Sequence, residues 1–115
     1  MSDHRITVLP GDGTGREVAL EAQRILDTIQ EHSNHGFTQT VIPCGGEHYK
    51  ATGEEWAEGS FDFCKNETDA IFLGAIGYPG ARLPNGDLAG GSVILGLRSG
   101  LDLYANVRPI KLYEG

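Results

Sequence analysis

The chain has 115 residues, of which 39% are hydrophobic and 22% are charged, and its formal net charge at pH 7 is −7. This composition is typical of one globular domain, and no apolar run approaches the roughly 20 residues that a membrane span requires. The acidic balance also argues against nucleic acid as a partner, because phosphates need a basic face. The N-terminus lacks the apolar core of a signal peptide, so we expect a cytoplasmic protein with no membrane partner.

The first half of the chain predicts a strand, a helix and a second strand. Residues 5–9 form a β-branched run that ends at a Pro-Gly pair, which is typical of a strand and a turn. Apolar side chains recur with helical periodicity over residues 16–31, and Thr14 or Asp12 could cap this helix. Residues 37–42 indicate the second strand.

The second half continues this alternation. Its predicted elements are a weak helix over 54–65, a strand over 70–73, a loop rich in glycine and proline over 74–91, a short helix over 92–98 that Ser92 caps, and an extended segment over 101–112. The strand is a continuous apolar run, which is typical of burial on both faces. The alternation predicts an α/β fold with βαβ units and a mainly parallel sheet.

Two arginines ten positions apart, Arg98 and Arg108, are the strongest candidates for a binding site. A guanidinium group is always charged, and its planar fork of donors matches a carboxylate. A single arginine is usually a solvated surface charge. Two arginines beside an apolar segment punctuated by glycine instead indicate a pocket for a small di- or tricarboxylate.

Two glycine-rich segments follow predicted strands. Residues 11–15 have the spacing Gly-x-Gly-x-Gly, which differs from the dinucleotide fingerprint, so this turn either holds an anion or is purely structural. Residues 74–77 have two interpretations. Their glycines allow a flat ring or a phosphate to approach the backbone closely, or the segment is only a flexible surface loop.

Cysteine and histidine give no sign of a metal site. Cys44 and Cys64 match no metal or redox motif, so we expect free and partly buried thiols. The four histidines are scattered and lack the spacing of metal ligands. We therefore assign no metal ligand to this chain.

Four blocks of the sequence, taken together, resemble the β-decarboxylating dehydrogenases, the family of isopropylmalate, isocitrate and tartrate dehydrogenases. The blocks are residues 9–18, 45–46, 73–79 and 97–109, and they occur in the order of the family. Members of the family are much longer, so the chain resembles the N-terminal portion of one. The resemblance implies an incomplete isopropylmalate-dehydrogenase-like fold, in which 1–103 belong to a discontinuous large domain and 104–115 begin the crossover into a second domain.

The resemblance also implies an activity and a cofactor. The family oxidises a 2-hydroxy acid by hydride transfer to NAD and then releases CO₂, with Mg²⁺ or Mn²⁺ as a Lewis acid. It suggests cofactor contacts at Thr14, Ile76, Gly77, Tyr78 and Gly91. The catalytic and metal-binding residues of the family come later in the chain, so none is assigned here. We expect residues 1–115 alone to be inactive and either marginally stable or prone to aggregation, and the full-length enzyme to be a homodimer.

The resemblance places the substrate at Arg98, Arg108, Ser92 and Ile94. Isocitrate-using relatives carry Ser-x-Asn here, and the apolar Ile94 that replaces the asparagine cannot hydrogen-bond a third carboxylate. A 3-alkylmalate such as 3-isopropylmalate, a substrate of leucine biosynthesis, fits better. Gly91 stands where isopropylmalate enzymes carry a glutamate, which leaves tartrate- and malate-like substrates open.

Simpler interpretations also remain open. Ser92 could be only a helix cap and Ile94 only a core residue. The chain could also bind a dicarboxylate or a nucleotide without turning it over, or it could be a structural fragment with no ligand.

Overall fold

The computed structural model describes residues 2–115, which form a small α/β structure. Its elements are β1 (Ser2–Gly11), α1 (Thr14–Glu31), β2 (His35–Val41), α2 (Gly46–Thr52), α3 (Ser60–Asn66), β3 (Ala70–Ala75) and α4 (Gly91–Gly100). The strands form one parallel sheet in the order β2-β1-β3. The predicted fold class and the parallel sheet are confirmed.

β1 is the centre of the sheet. Its residue Val8 pairs with Val41 of β2 on one side and with Phe72 of β3 on the other. Val8 and the following Leu9 are fully buried, whereas Phe72 keeps 37% of its surface exposed. The prediction that the third strand is buried on both faces is therefore wrong: Ile71 and Leu73 of β3 pack against the core, whereas the opposite face, which carries Phe72, is largely uncovered within residues 2–115.

α1 packs on the sheet through small residues. Gly15 and Ala19 are its buried positions, and a Cβ at Gly15 would lie 2.4 Å from the carbonyl oxygen of Pro10. The helix therefore approaches the sheet more closely than a larger side chain would allow. The helical periodicity correctly predicts α1, but Val18 and Ile25 remain 57% and 61% exposed, so most of its apolar stripe faces away from the described core.

The segment between β2 and β3 contains two short helices instead of the one predicted over 54–65. α2 ends at Gly53, whose φ of 84° places it in the left-handed region, and α3 begins after Gly59, whose φ is 82°. The sequence prediction missed α2 entirely. Its seven residues begin at the second glycine of the Gly45-Gly46 pair and carry too little apolar periodicity to indicate a helix.

The core lies between the sheet, α3 and α4. It contains Leu9, Cys44, Cys64, Val93 and Leu97. The two α4 residues are four positions apart and therefore share one helix face. Both cysteines are free, as predicted, and they are almost fully buried instead of partly buried. Burial raises the pKa of the Cys44 thiol to about 11 and also raises the pKa of Cys64.

The last segment of the chain leaves the body of the fold. Residues 102–115 form neither helix nor strand, and Tyr104, Ile110 and Leu112 are almost fully exposed. The extended segment predicted over 101–112 therefore joins no sheet among the described residues. No helix within residues 2–115 has both the length and the apolarity needed to cross a membrane.

Candidate functional site

The loops that follow the three strands meet at one end of the sheet, which we call the carboxyl edge. Because the strands are parallel, all three carboxyl ends lie there, and the N–H of Asp12 after β1 donates to the carbonyl of Ala75 at the end of β3 at 2.7 Å. Ligands of open α/β sheets bind outside this edge. Of the predicted cofactor residues, Thr14 begins α1 directly after the first of these loops, and Ile76 lies on the loop after β3.

The carboxylate of Asp12 connects the loops to one another. Asp12 is 2% exposed, and it accepts hydrogen bonds from the N–H groups of Gly46 at 2.8 Å, Glu47 at 2.9 Å and Gly77 at 2.9 Å. The first two donors open α2, where a negative charge also complements the helix dipole. The third donor lies in the loop after β3, so one buried side chain fixes the relative position of three loops.

The start of α1 differs from the sequence prediction. Gly13 is the N-cap residue of α1, and no side chain donates or accepts a capping hydrogen bond there. The expectation that Asp12 or Thr14 caps α1 is wrong, because the carboxylate of Asp12 turns toward α2 and the loop after β3. Thr14 is exposed, and its hydroxyl has no hydrogen-bond partner in the part of the chain that the structure describes.

The loop after β3 brings together Ile76, Gly77 and Tyr78. Ile76 packs against the core, and Tyr78 is half-buried with the Nζ of Lys50 at 5.3 Å from its ring centroid. Gly77 is exposed at a φ of 153°, and a Cβ there would meet nothing within 4 Å. This glycine therefore leaves its backbone open to an approaching flat group.

The start of α4 lies beside this loop. A Cβ at Gly90 would lie 2.2 Å from the Cγ2 of Ile76, so the two segments are in close contact. Gly90, not Ser92, is the N-cap of α4, which corrects the sequence prediction. Gly91 is the first helical residue, and Ser92 follows in the first turn, where its hydroxyl donates to the carboxylate of Glu55.

The predicted substrate residues do not form a closed clamp. Ile94 and Arg98 line one cavity of about 500 Å³ between α4, α3 and β3, and Arg108 is not part of its lining. Both arginines are exposed, and neither makes an ion pair or a hydrogen bond within residues 2–115. The paired grip on a carboxylate therefore stays a prediction.

Sequence reasoning missed one residue of this region, Glu55. Nothing in the pattern distinguishes it from the neighbouring Glu54 and Glu58, because its contacts are with residues far along the chain. A signal for Asp12 was present, since an acid between two glycines directly after a buried strand must find donors in the adjacent loops.

Comparison with known proteins decides the family. A sequence profile of the family described as isocitrate/isopropylmalate dehydrogenase matches residues 5–115. The chain belongs to this family. The prediction from the four sequence blocks is thereby confirmed.

Curated members of the family match nearly the whole chain. The 3-isopropylmalate dehydrogenase of Prochlorococcus marinus is 40% identical over 114 residues, which is 99% of this chain and 31% of that protein. The 3-isopropylmalate dehydrogenase of Thermotoga maritima is 40% identical over 111 residues, again 31% of its length. The chain therefore spans about a third of the length of these relatives.

A solved structure of the family agrees with the fold. The apo β-decarboxylating dehydrogenase of Thermococcus kodakarensis superposes with a TM-score of 0.66 at 30% sequence identity. The match covers 88% of this chain and 27% of that one. The elements described above are therefore a part of the family's fold.

Proposed function

We propose that the chain is the N-terminal portion of an NAD-dependent dehydrogenase that oxidises and decarboxylates a 3-substituted malate, with 3-isopropylmalate as the best-fitting substrate. The observation that carries this proposal is the alignment of 3-isopropylmalate dehydrogenases over 99% of the chain. The meeting of the three loops at the carboxyl edge of the sheet supports it. Tartrate-, malate- and isocitrate-type dehydrogenases of the family are the alternative enzymes.

The domain assignment belongs to the same proposal. Residues 1–103 contribute to a large discontinuous domain, and 104–115 begin the crossover into the second. The unpaired outer edges of β2 and β3 among the described residues support this assignment, because free strand edges favour pairing with further strands. The full-length enzyme is proposed to be a cytoplasmic homodimer of leucine biosynthesis.

The carboxyl edge suits the nicotinamide part of NAD. The backbone at Gly77 is open, the Thr14 hydroxyl is unused within residues 2–115, and Tyr78 offers an aromatic side chain on the same loop. Ile76 and Gly91 complete this proposed contact surface. Bound NAD supplies the hydride acceptor, and the loops, which Asp12 fixes, orient it.

The metal ion is a different case. Residues 2–115 bring together no group of three His, Cys, Asp or Glu side chains that could hold one. We propose that Mg²⁺ or Mn²⁺ binds to residues outside this chain.

The substrate is proposed to bind at Arg98 and Arg108 through its malate carboxylates. A bidentate guanidinium fixes both the position and the orientation of a carboxylate, which is the contribution that a hydride transfer needs from its binding site. Ile94 lies on the same cavity as Arg98 and offers an apolar surface to the C3 substituent.

The test is NADH formation by the full-length protein with 3-isopropylmalate, malate, tartrate and isocitrate. We expect turnover of a 3-substituted malate and a loss of about 100-fold in kcat/KM in Arg98→Ala or Arg108→Ala, since each removes a charged partner of the substrate. Arg24→Ala is the matched control, because Arg24 is an exposed α1 residue whose side chain pairs only with Glu21 within residues 2–115. Calorimetric binding of the acids without any NADH formation would contradict an enzyme and favour a binding module.

A further inference from the structure

Two histidines meet at the end of the sheet opposite the carboxyl edge. His4 lies near the start of β1 and His35 begins β2, and the Nε2 of His4 lies 3.3 Å from the Nδ1 of His35. Their closeness follows from the parallel register, which pairs Ser2 with His35 and His4 with Phe37. The two histidines are 31 positions apart in the sequence, so no local spacing indicates that they meet.

The surroundings hold both imidazole rings in place. The ring centroid of His4 lies 5.5 Å from that of His35 and 5.7 Å from that of Phe37, at interplanar angles of 29° and 27°. The start of β2 is fixed as well, because the N–H of His35 donates to the Oγ of Ser33 at 3.2 Å and the N–H of Phe37 donates to the Oε1 of Gln30 at 2.6 Å. The two rings therefore lose little conformational freedom when they bind one ligand together.

The separation of the two nitrogens matches that of two ligands on one metal ion. Zn²⁺ binds imidazole nitrogen at about 2.0–2.1 Å with tetrahedral geometry, which places two ligating nitrogens roughly 3.3–3.4 Å apart. His4 is half-buried and His35 is exposed, so water can reach the remaining coordination positions. Imidazole suits zinc, copper and nickel, whereas magnesium prefers oxygen ligands. This pair is therefore distinct in its chemistry from a site for Mg²⁺.

We propose that His4 and His35 together bind one divalent transition-metal ion, with Zn²⁺ as the best fit, and that this ion links the start of β1 to the start of β2. The protein supplies two ligands, since residues 2–115 contain no group of three, and water supplies the others. β2 has only β1 as a neighbour in the described sheet, so the ion adds a second connection to an edge strand. Because the ion binds the folded arrangement, it stabilises the fold.

The test is equilibrium dialysis of the full-length protein against Zn²⁺ in the presence of excess Mg²⁺, which occupies sites built from oxygen ligands. His4→Gln and His35→Gln each remove one imidazole and keep a polar side chain. His32→Gln is the matched control, because His32 is an exposed histidine whose ring bonds only to the carbonyl of Thr28 within residues 2–115. His35→Ala, at the exposed position, is a further variant if His4→Gln does not fold.

We expect the wild type and His32→Gln to bind one more Zn²⁺ per chain, with micromolar affinity, than either His4→Gln or His35→Gln. Removing one of only two protein ligands should weaken the binding of this ion at least about tenfold. The second readout is the thermal midpoint of unfolding. Zinc should raise this midpoint more in the wild type and in His32→Gln than in the other two variants, because a ligand stabilises only the protein that binds it.

Two results would overturn this site. The first is equal zinc binding by the wild type and by the variants of both histidines. The second is a loss of zinc binding in His4→Gln alone, with His35→Gln unchanged, because the ion would then not be shared between the two strands. Neither result bears on the proposed dehydrogenase activity, since the histidine pair uses no residue of the carboxyl edge.

Discussion

Asp12→Asn tests whether one buried carboxylate holds the three loops of the site together. In the wild type, Oδ2 accepts the N–H groups of Gly46 and Gly77, and Oδ1 accepts the N–H of Glu47. An asparagine keeps one oxygen, which can replace Oδ2. Its NH₂ group then faces the N–H of Glu47, so two donors meet and one hydrogen bond is lost.

The cost of this substitution follows from the number and kind of the bonds. A hydrogen bond to a charged group contributes about 1.5–3 kcal/mol, and a neutral acceptor is roughly half as strong. Losing one bond and halving two others should lower the free energy of unfolding by about 3–6 kcal/mol. That is a large share of the stability of a small domain.

The assay is equilibrium urea unfolding of the full-length protein followed by circular dichroism, with amide hydrogen exchange at Gly77 as the local readout, because residues 1–115 alone are expected to be only marginally stable. Asp3→Asn is the control, because Asp3 is exposed and makes no side-chain hydrogen bond among the described residues. If Asp12→Asn lowers the free energy of unfolding by less than about 0.5 kcal/mol and leaves the exchange rate at Gly77 unchanged, Asp12 does not hold the three loops together.

Three further predictions concern stability and reactivity. Gly15→Ala should lower the free energy of unfolding by about 2 kcal/mol, because the new Cβ would lie 2.4 Å from backbone atoms. Gly96→Ala, whose Cβ would meet nothing within 4 Å, should raise the free energy of unfolding by about 0.5 kcal/mol. Equal urea midpoints for the two variants would contradict this. Hydrogen bonding to Arg5 lowers the pKa of Asp69 from 3.8 to about 2, so the contribution of Asp69 to stability is present above pH 3.8 and is lost as the pH falls through about 2. In acid titrations of stability, the wild type should lose more stability than Asp69→Asn over this range. Parallel curves for the two proteins would disprove this prediction. Because burial raises the pKa of the Cys44 thiol to about 11, a thiol reagent at neutral pH should modify it much faster in urea than in the native protein, and equal rates would count against its burial.

Local pattern predicted most of the fold. β1, α1 and β3 were predictable because each has a local pattern. These patterns are a β-branched run in β1, helical periodicity in α1 and an apolar run in β3. The burial of β3 was predicted incorrectly because it depends on what lies on the faces of the sheet, which a local run does not contain. Residues 101–112 likewise pair with no strand among residues 2–115, because strand pairing depends on residues far along the chain that a local run does not contain.

The site was predictable where it depends on glycine-rich loops after strands. The sequence placed Gly77 correctly on the loop after β3, because turn residues have local signatures. It also placed Ser92 near the start of α4 but wrongly as the N-cap, which is Gly90. The partners of their polar groups were not predictable. Asp12 reaches across to Gly77, and Glu55 reaches across to Ser92, at separations of 65 and 37 positions that no local pattern encodes.

The most direct test of the proposed site is a crystal structure of the full-length protein with NAD and 3-isopropylmalate bound. The account predicts the nicotinamide against Ile76 and Gly77, and the malate carboxylates on the guanidinium groups of Arg98 and Arg108. An acid bound elsewhere, with both guanidinium groups still in solvent, would contradict it.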